Sequence, residues 1–278
     1  MLDVCRPQKR WRRDRTGREA RPMTTGTGFS GEVVEYYARY RRGYPDAVVG
    51  RIVDAFGLTQ DDVALDLGCG TGQLTSVLAR RVGTVVGMDP EPDMLASAAA
   101  ADRTDRVAWV LGSDRDVPTV GRALRPLGAL TVAVAIHWMD RAALFRAARP
   151  LLRLGGGIAV ITNGAPLWLQ DADWSREVGD FLRDWTGRPG ATCQTDDAGR
   201  RLTHDALEDA GYDVTETTVE YTAPLSVDAV VGGVLSAMPL PPEPERGRFA
   251  AELGRRLDPY GALTEHVCVT LQLGIPRR

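Results

Sequence analysis

Hydrophobic positions along the chain alternate between a strand-like and a helix-like spacing. Short runs rich in valine, leucine and isoleucine recur near 63–67, 84–88, 107–111, 130–136 and 156–162. Each has the length of a buried strand. Between these runs, apolar residues recur at helical spacing and predict helices near 73–81, 92–101 and 140–152. Strands and helices that alternate in this way predict a mostly parallel sheet with helices on both faces.

The segments on either side of this core extend the pattern. Helices are predicted over 32–40 and 46–56 before it, and over 173–185, 203–210, 226–235 and 246–257 after it. Residues 212–221 and 265–273 alternate in the manner of strands, and the second of these runs suits a last antiparallel strand. We therefore predict a doubly wound α/β domain with a seven-stranded, mostly parallel sheet and additional helices.

The most specific pattern is a glycine-rich loop between the first strand and the first core helix. Val63–Leu67 supplies the strand, and Gly68, Gly70 and Gly72 follow it. Glycines at these positions remove the side chains that would keep a nucleotide or amino-acid ligand away from the backbone. Asp89 follows the second strand about twenty residues beyond the loop, where nucleotide-binding α/β units place a carboxylate on ribose hydroxyls. The pattern predicts a nucleotide-like ligand at this end of the sheet.

This region resembles the class I S-adenosylmethionine (SAM)-dependent methyltransferases. Residues 65–72 read Leu-Asp-Leu-Gly-Cys-Gly-Thr-Gly and are similar to the family's first motif, with Asp66 two positions before the first glycine. Further similar segments follow in order at 85–95, 112–118, 135–140 and 148–157. The last of them resembles the family's glycine turn before the fifth strand, with Leu154 in place of a common proline. The resemblance implies a Rossmann-like fold and transfer of the methyl group of SAM, with S-adenosyl-L-homocysteine as the product.

The resemblance also implies roles around the cofactor. Asp66 would order the glycine loop and reach the ammonium group of SAM directly or through water, and Asp89 would accept hydrogen bonds from both ribose hydroxyls. The alternatives are that these carboxylates cap a local turn and a helix, respectively. The cofactor-binding residues that we expect are Asp66, Gly68, Cys69, Gly70, Gly72, Asp89, Pro90, Met94, Ser113 and Asp114 (the last two at the adenine edge), together with Tyr37 and Arg41.

Residues 36–45, Tyr-Tyr-Ala-Arg-Tyr-Arg-Arg-Gly-Tyr-Pro, are similar to the entry motif of a small-molecule subset of the family, with Arg42 where proline is common. In that subset the segment closes over the cofactor, and Arg41 would reach its carboxylate. A solvated amphipathic helix is the alternative. The residues that we expect to contact the methyl acceptor are Tyr36, Tyr44, Trp138 and Trp168.

His137 is the candidate catalytic residue. It follows the fourth predicted strand, and open α/β sheets bind ligands beyond the carboxyl ends of their strands. A neutral imidazole can accept a proton from a hydroxyl, an amine or an acidic carbon. The His-Trp pair at 137–138 also resembles the same small-molecule subset. The alternatives are a histidine that only shapes the pocket and one that hydrogen-bonds across the sheet edge.

Charge divides the chain into two parts. The first 22 residues carry eight basic and three acidic residues, which leaves 26 basic and 34 acidic residues in the remainder. We predict a disordered basic leader over 1–27 and a methyltransferase domain over 28–278, with its core at 63–162 and lid insertions at 163–202 and 223–262. The acidic domain argues against a nucleic-acid substrate.

Composition limits the cellular location and the kind of organism that the sequence predicts. No apolar run approaches the roughly 20 residues needed to span a bilayer. Cys5, Cys69, Cys193 and Cys268 form no C-x-x-C pair, so we expect reduced cysteines in the cytoplasm and no bound metal. Lys9 is the only lysine, which suggests a GC-rich bacterial genome and is consistent with secondary metabolism.

The sequence therefore predicts a cytoplasmic enzyme, monomeric or homodimeric, that methylates a small-molecule acceptor with SAM and has no nucleic-acid or membrane partner. Two alternatives stay open from the residues alone. One is methylation of a protein or an RNA. The other is a non-catalytic or cyclase-like module that binds SAM without transferring its methyl group.

Overall fold

The computed structural model describes residues 29–124, 126–190 and 194–278. The predicted leader, Gly28, Cys5 and Cys193 lie outside this part of the chain. The strands are β1 (Val63–Leu67), β2 (Thr84–Asp89), β3 (Val107–Leu111), β4 (Leu127–Ala133), β5 (Leu152–Asn163), β6 (Tyr212–Leu225) and β7 (Leu263–Pro276). The helices are α1 (Glu32–Tyr40), α2 (Asp46–Phe56), α3 (Gln73–Leu78), α4 (Pro92–Ala101), α5 (Val117–Leu124), α6 (Arg141–Ala148), α7 (Asp173–Thr186), α8 (Asp197–Asp209), α9 (Val227–Leu235) and α10 (Glu245–Leu257).

The seven strands form one sheet in the order β3-β2-β1-β4-β5-β7-β6. Strands β1 to β5 pair in parallel, whereas β7 runs antiparallel to both β5 and β6. The order reverses at β1, which has β2 on one side and β4 on the other. Open α/β sheets bind ligands at such a reversal. The predicted doubly wound fold with an antiparallel last strand is confirmed.

Apolar side chains cover both faces of this sheet. Helices α2 and α3 pack on one face, where Phe56 is 1% exposed, and α5, α6 and α8 pack on the other, where Phe145 is fully buried. Complete burial of one such side chain is worth about 1.5–3 kcal/mol. The two layers therefore fix the strand ends on which the candidate site is built.

A third apolar cluster lies among the additional helices. Trp174 and Phe181 of α7 join Phe249 of α10 and Val230 of α9, and the rings of Phe181 and Phe249 meet edge-on at 4.9 Å. Helix α1 packs against α9. No helix in the described residues is long and apolar enough to cross a bilayer.

Several helix and strand boundaries differ from the sequence prediction, and one helix was not predicted. Helix α5 was not predicted, although Pro118 fits its first turn, where the missing N–H of proline is not needed. Strand β4 ends at Ala133 instead of residue 136, because Val134 adopts a positive φ of 51° and a short 3-10 turn follows. Helix α8 begins six residues early, where the Asp196 side chain caps the backbone N–H of Gly199 at 2.9 Å.

The glycine segment before the fifth strand also differs from the prediction. The sequence predicted a turn there, but residues 154–157 lie within β5. Leu127 pairs with Leu152, and the next paired residue, Ala129, faces Gly157. The extra residues between these pairs leave the ladder as a bulge, a feature that a hydrophobic pattern does not reveal.

Candidate active site

A cavity of about 240 Å³ opens at the carboxyl ends of β1, β2, β4 and β5. The glycine loop and the residues after β2 line one end, which we call the cofactor end. Side chains of α1 and α9, the segment after β5 and the start of β7 line the other end, which we call the acceptor end. The cavity joins the predicted nucleotide-like site to a second space beside it.

The glycine loop lies close to both neighbouring strands. The backbone N–H of Gly68 donates to the carbonyl of Met88 at 2.7 Å, and a Cβ on Gly68 would lie 2.6 Å from that of Ala135. Gly72 begins α3 with φ of 83°, and a Cβ there would lie 2.8 Å from the ring of Trp109. A larger residue at either position would push the loop away from the sheet.

Asp66 ties the loop to its surroundings. Its carboxylate is 1% exposed and accepts hydrogen bonds from the hydroxyls of Thr75 at 2.5 Å and Thr131 at 2.7 Å. Burial raises the pKa of Asp66 to about 6, although both hydroxyls favour the ionised form. Asp66 therefore joins β1, α3 and β4 at the point where the loop begins.

Asp89 ends β2 and faces the same loop. One carboxylate oxygen accepts from the backbone N–H of Gly70 at 2.9 Å, and the other accepts from that of Glu91 at 2.9 Å. Burial raises the pKa of Asp89, and the two backbone donors oppose this shift. Each carboxylate oxygen has a second lone pair, so Asp89 can hold the loop and still accept from a diol.

His137 lies in the 3-10 turn after β4, beside Trp138, with 5.2 Å between the ring centres. Burial, assisted by the positive charge of Arg141, lowers the pKa of His137 to about 4. The imidazole is therefore neutral at pH 7. A neutral imidazole with so low a pKa can donate or accept a hydrogen bond but is a poor proton acceptor.

Aromatic side chains surround the cofactor end. The ring of Phe29 meets Tyr37 edge-on at 5.8 Å and Trp138 at 6.3 Å. The guanidinium of Arg41 lies over the ring of Tyr37 at 5.2 Å. The backbone N–H of Gly31 donates to the Asp93 carboxylate at 2.8 Å, which ties the start of this segment to α4.

The acceptor end carries a nearly buried ion pair. Nη1 of Arg42 lies 3.2 Å from the carboxylate of Glu265, whose side chain is 4% exposed. Arg42 also donates to the carbonyl of Ala165 at 3.2 Å, and the Gln170 amide donates to Glu265 at 3.4 Å. Asn163 donates to the backbone carbonyl of Arg42 at 3.5 Å. Both charges at this end are therefore compensated.

Four of the five buried side-chain atoms that lack a hydrogen-bond partner in the described residues belong to side chains lining this cavity. They are Nε of Arg41, Nη1 of Arg42 (which still faces Glu265 in the ion pair), Nε2 of Gln73 and Oδ1 of Asn163. Buried polar atoms normally have partners, so a cluster of unpartnered ones indicates a place where a polar ligand binds.

The structure brings most of the predicted site residues together. Those lining the cavity are Tyr37, Arg41, Tyr44, Asp66, Gly68, Cys69, Gly70, Asp89, Pro90, Met94, His137, Trp138 and Trp168. Gly72 instead faces Trp109, and Tyr36 packs within the cluster of α7, α9 and α10, 5.8 Å from the ring of Tyr40. Gly72 thus packs against the side chain of Trp109 in β3, and the Tyr36 ring lies 5.9 Å from the guanidinium of Arg246 in α10.

The predicted adenine-edge residues also lie outside the lining. The Ser113 hydroxyl donates to Asp116 at 3.1 Å, within a capping box, and Asp114 accepts from the backbone N–H of Asp140 at 3.2 Å. Ser113 therefore holds a local turn, whereas Asp114 connects the turn after β3 to the start of α6. Their contact with adenine stays a prediction.

Several lining residues were missed from the sequence. Gln73 follows the last glycine of the loop, and Asn163 ends a strand, so the rule that ligands bind at strand ends could have found both. Phe29, Ala229 and Glu265 lie far away along the chain and carry no local signal.

Away from the cavity, α8 brings three potential metal ligands close together. The ligand atoms of His204, Asp205 and Glu208 lie within 4.8 Å of one another on the surface of the helix. His204 faces the two carboxylates at 3.8 Å and 3.7 Å. An exposed acid–histidine group at this helical spacing is an ordinary surface pairing.

The fold and this end of the sheet define a doubly wound α/β domain with a nucleotide-type site. Residues 64–156 match the family model described as a methyltransferase domain. The chain is 31% identical over 206 residues to an uncharacterized methyltransferase of Mycobacterium tuberculosis, which covers 74% of this chain and 75% of that one. The chain belongs to the methyltransferase family, and it is a class I SAM-dependent enzyme.

Two further similarities agree with this assignment. The 2-phytyl-1,4-naphtoquinone methyltransferase of Thermosynechococcus vestitus is 42% identical over 127 residues, which span 41% of this chain and 52% of that one. The structure of a candidate type II methyltransferase from Anaeromyxobacter dehalogenans superposes with a TM-score of 0.62 at 22% identity. It covers 86% of this chain and all of its own. The structural likeness supports the fold.

Proposed function

We propose that this protein transfers the methyl group of SAM to a small-molecule acceptor bound at the acceptor end of the cavity. The observation that carries the proposal is that three buried polar atoms without a partner among the described residues, Nε of Arg41, Nε2 of Gln73 and Oδ1 of Asn163, belong to side chains that line one cavity. Arg41 and Gln73 belong to the cofactor end and Asn163 to the acceptor end, as a cofactor and an acceptor that share one cavity would require.

The residues at the cofactor end fit SAM. Gly68 and Gly70 leave the backbone open beside the loop, and Asp89 can accept from the two ribose hydroxyls while it holds the loop. Arg41 and Gln73 each carry a buried donor without a partner among the described residues. Two donors, one of them charged, suit the carboxylate of the methionine part of the cofactor.

The chain contributes positioning and exclusion of water. Phe29, Tyr37 and Trp138 form an aromatic cover beside the cofactor end. When bound, SAM supplies a methyl group on a positively charged sulfur, so that attack by an acceptor lone pair forms the new bond as the carbon–sulfur bond breaks. Holding the two reactants in line, with water excluded, removes a large part of the activation barrier of such a transfer.

His137 then serves as a hydrogen-bonding residue. Because its pKa is lowered to about 4, the neutral ring orients a hydroxyl or amine of the acceptor, and the proton released on methylation passes to water. A full proton transfer to His137 would require a stronger base than the buried imidazole provides.

The helices that cover the cavity favour a small acceptor over a macromolecule. Helices α1 and α9 cover the acceptor end, and Tyr40 of α1 donates to Asp228 of α9 at 3.1 Å. We include the predicted lid in the proposal, because α7, α9 and α10 share one apolar cluster beside this end. The quinone-directed relative from Thermosynechococcus vestitus supports the same class of acceptor.

Transfer of radioactive methyl groups tests the proposal directly. The purified chain is mixed with methyl-labelled SAM and a deproteinised metabolite extract, and in parallel with protein and RNA fractions. We expect label in small molecules. Label only in protein or RNA would favour the macromolecular alternative. Binding of SAM without transfer to any fraction would favour a non-catalytic module.

The cellular location, the oligomeric state and the metabolic role of the protein stay predictions. Cys69 is buried and Cys268 is partly buried, and neither forms a disulfide within the described residues. Size-exclusion chromatography with light scattering would distinguish the predicted monomer or homodimer from larger assemblies. The suggested role in secondary metabolism would be tested by the genes next to this one.

A further inference from the structure

The charges at the acceptor end cancel one another. Arg42 and Glu265 form an ion pair at 3.2 Å, with the Arg42 side chain 22% exposed and that of Glu265 4% exposed. His137 is neutral because burial lowers its pKa to about 4. Other polar side chains at this end, among them Tyr40, Tyr44 and Asn163, are uncharged. A charged acceptor would therefore lose its hydration without gaining an uncompensated partner.

The walls of the acceptor end are apolar and aromatic. Leu167, Leu225 and Ala229 line it together with the rings of Tyr40 and Trp168. Aromatic rings favour flat partners that stack against them or meet them edge-on.

Close packing makes this wall firm. A Cβ on Gly233 of α9 would lie 2.6 Å from Leu167 Cδ1, and one on Gly232 would lie 2.2 Å from the ring of Tyr40. The two glycines therefore let the segment after β5 and α1 approach α9 closely. A bulkier residue facing the same space would shorten the acceptor end.

We propose that the acceptor is an uncharged, mostly apolar ring compound, selected because the ion pair of Arg42 and Glu265 leaves no net charge for an ionic group. This inference rests on the proposed function, since it assigns the substrate class of the same site. It excludes carboxylates, phosphates and ammonium compounds as preferred acceptors.

Equilibrium binding of matched probes tests the proposal. The full-length chain is first saturated with S-adenosyl-L-homocysteine, so that the positive sulfur of SAM does not bias the result. Calorimetric titrations at pH 7 then compare 1-naphthol, 1-naphthoate and 1-naphthylmethylammonium, which share one ring system and differ in charge. We expect 1-naphthol to bind at least tenfold more tightly than either ion.

Equal or tighter binding of either ion would overturn the proposal, and so would the failure of all three probes to bind at millimolar concentration. Failure of S-adenosyl-L-homocysteine itself to bind would contradict the proposed function instead. The two ideas therefore fail in distinguishable ways.

Two variants locate the effect. Glu265→Gln keeps the shape of the side chain but leaves the Arg42 charge uncompensated, so the ratio of 1-naphthoate to 1-naphthol affinity should rise at least tenfold.

Ala229→Leu should fill the acceptor end and abolish 1-naphthol binding, with Ala251→Leu, on the exposed surface of α10, as the matched control. Each variant must bind S-adenosyl-L-homocysteine like the unaltered chain, which shows that it is folded. An unchanged ratio in a folded Glu265→Gln variant, or unchanged 1-naphthol binding in a folded Ala229→Leu variant, would overturn the proposal.

Discussion

The two ends of the cavity are built in different ways. Most of the cofactor end comes from one continuous stretch, from Asp66 to Met94, in which a strand, a glycine loop and a second strand follow one another. The acceptor end combines Arg42, Asn163, Ala229 and Glu265, which lie far apart in the sequence and meet only after β5, α9 and β7 have packed.

The difference corresponds to two tasks. The cofactor end has charged and backbone groups that suit one constant ligand, and Asp66 and Asp89 accept four hydrogen bonds from the loop and the elements around it. The acceptor end has paired charges and apolar walls, which exclude ligands more than they attract them. We infer that the first end supplies affinity and the second supplies selection. The predictions below test that division.

The largest expected effect is at Asp89. In Asp89→Ala the cofactor should lose two hydrogen bonds to a charged acceptor, each worth about 1.5–3 kcal/mol. The backbone donors of Gly70 and Glu91 also lose their partner. SAM affinity, measured by calorimetry, should fall about 100-fold or more.

Asp61→Ala, at an exposed turn, is the control and should leave SAM affinity unchanged. Circular dichroism should show that both variants are folded. A folded Asp89→Ala variant with unaltered affinity would remove Asp89 from the cofactor site.

Substitution of Gln73 should lower SAM affinity less, and only for ligands that carry the carboxylate. If its buried amide donates to the carboxylate of SAM, Gln73→Leu should lower SAM affinity about tenfold, the loss of one hydrogen bond to a charged group. The affinity for 5′-methylthioadenosine, which lacks that carboxylate, should stay the same. A parallel loss for both ligands would show that Gln73 shapes the loop instead.

His137 lies where the two ends meet, and its effect should fall on turnover. We expect His137→Ala to lower kcat about tenfold and His137→Asn to lower it less, because asparagine keeps a hydrogen-bonding group. SAM affinity should change little in either variant. A loss of 100-fold or more, with a limb in the pH–rate profile that the variants lack, would indicate a general base and contradict the orienting role.

The smallest expected effect is the pH dependence of stability. The pKa of His137 is lowered to about 4 in the folded state, against about 6.5 when unfolded, so the folded chain binds fewer protons in that interval. The stability that His137 contributes is therefore present above pH 6.5 and is lost as the pH falls towards 4.

His137→Asn removes this dependence. Between pH 7.5 and 4.5 its free energy of unfolding should fall less than that of the unaltered chain, by about 1 kcal/mol after allowance for partial exposure of the ring. Asp66 has a raised pKa of about 6 and acts in the opposite direction, but it is present in both proteins and cancels in the difference. Urea denaturation at several pH values measures this quantity, and parallel curves would contradict the lowered pKa.

The sequence by itself determined the doubly wound fold and most of the cofactor end. The spacings that predict strands and helices are local. The loop from Gly68 to Gly72 is also short and continuous, so it can be recognised from neighbouring residues in the sequence. The same reasoning failed where geometry depends on partners. The end of β4 is decided by the backbone of Val134, and the course of β5 is decided by a bulge against β4.

Only the tertiary structure decided the acceptor end. Arg42 stood out in the sequence as a departure from the proline of similar motifs, but nothing in the sequence indicated that its charge is neutralised by Glu265, more than two hundred residues away. The lowered pKa of His137 likewise depends on burial and on Arg141, which no spacing of residues reveals. Charge compensation and desolvation are properties of the environment that packing creates around each group, and so they are decided only when the chain has folded.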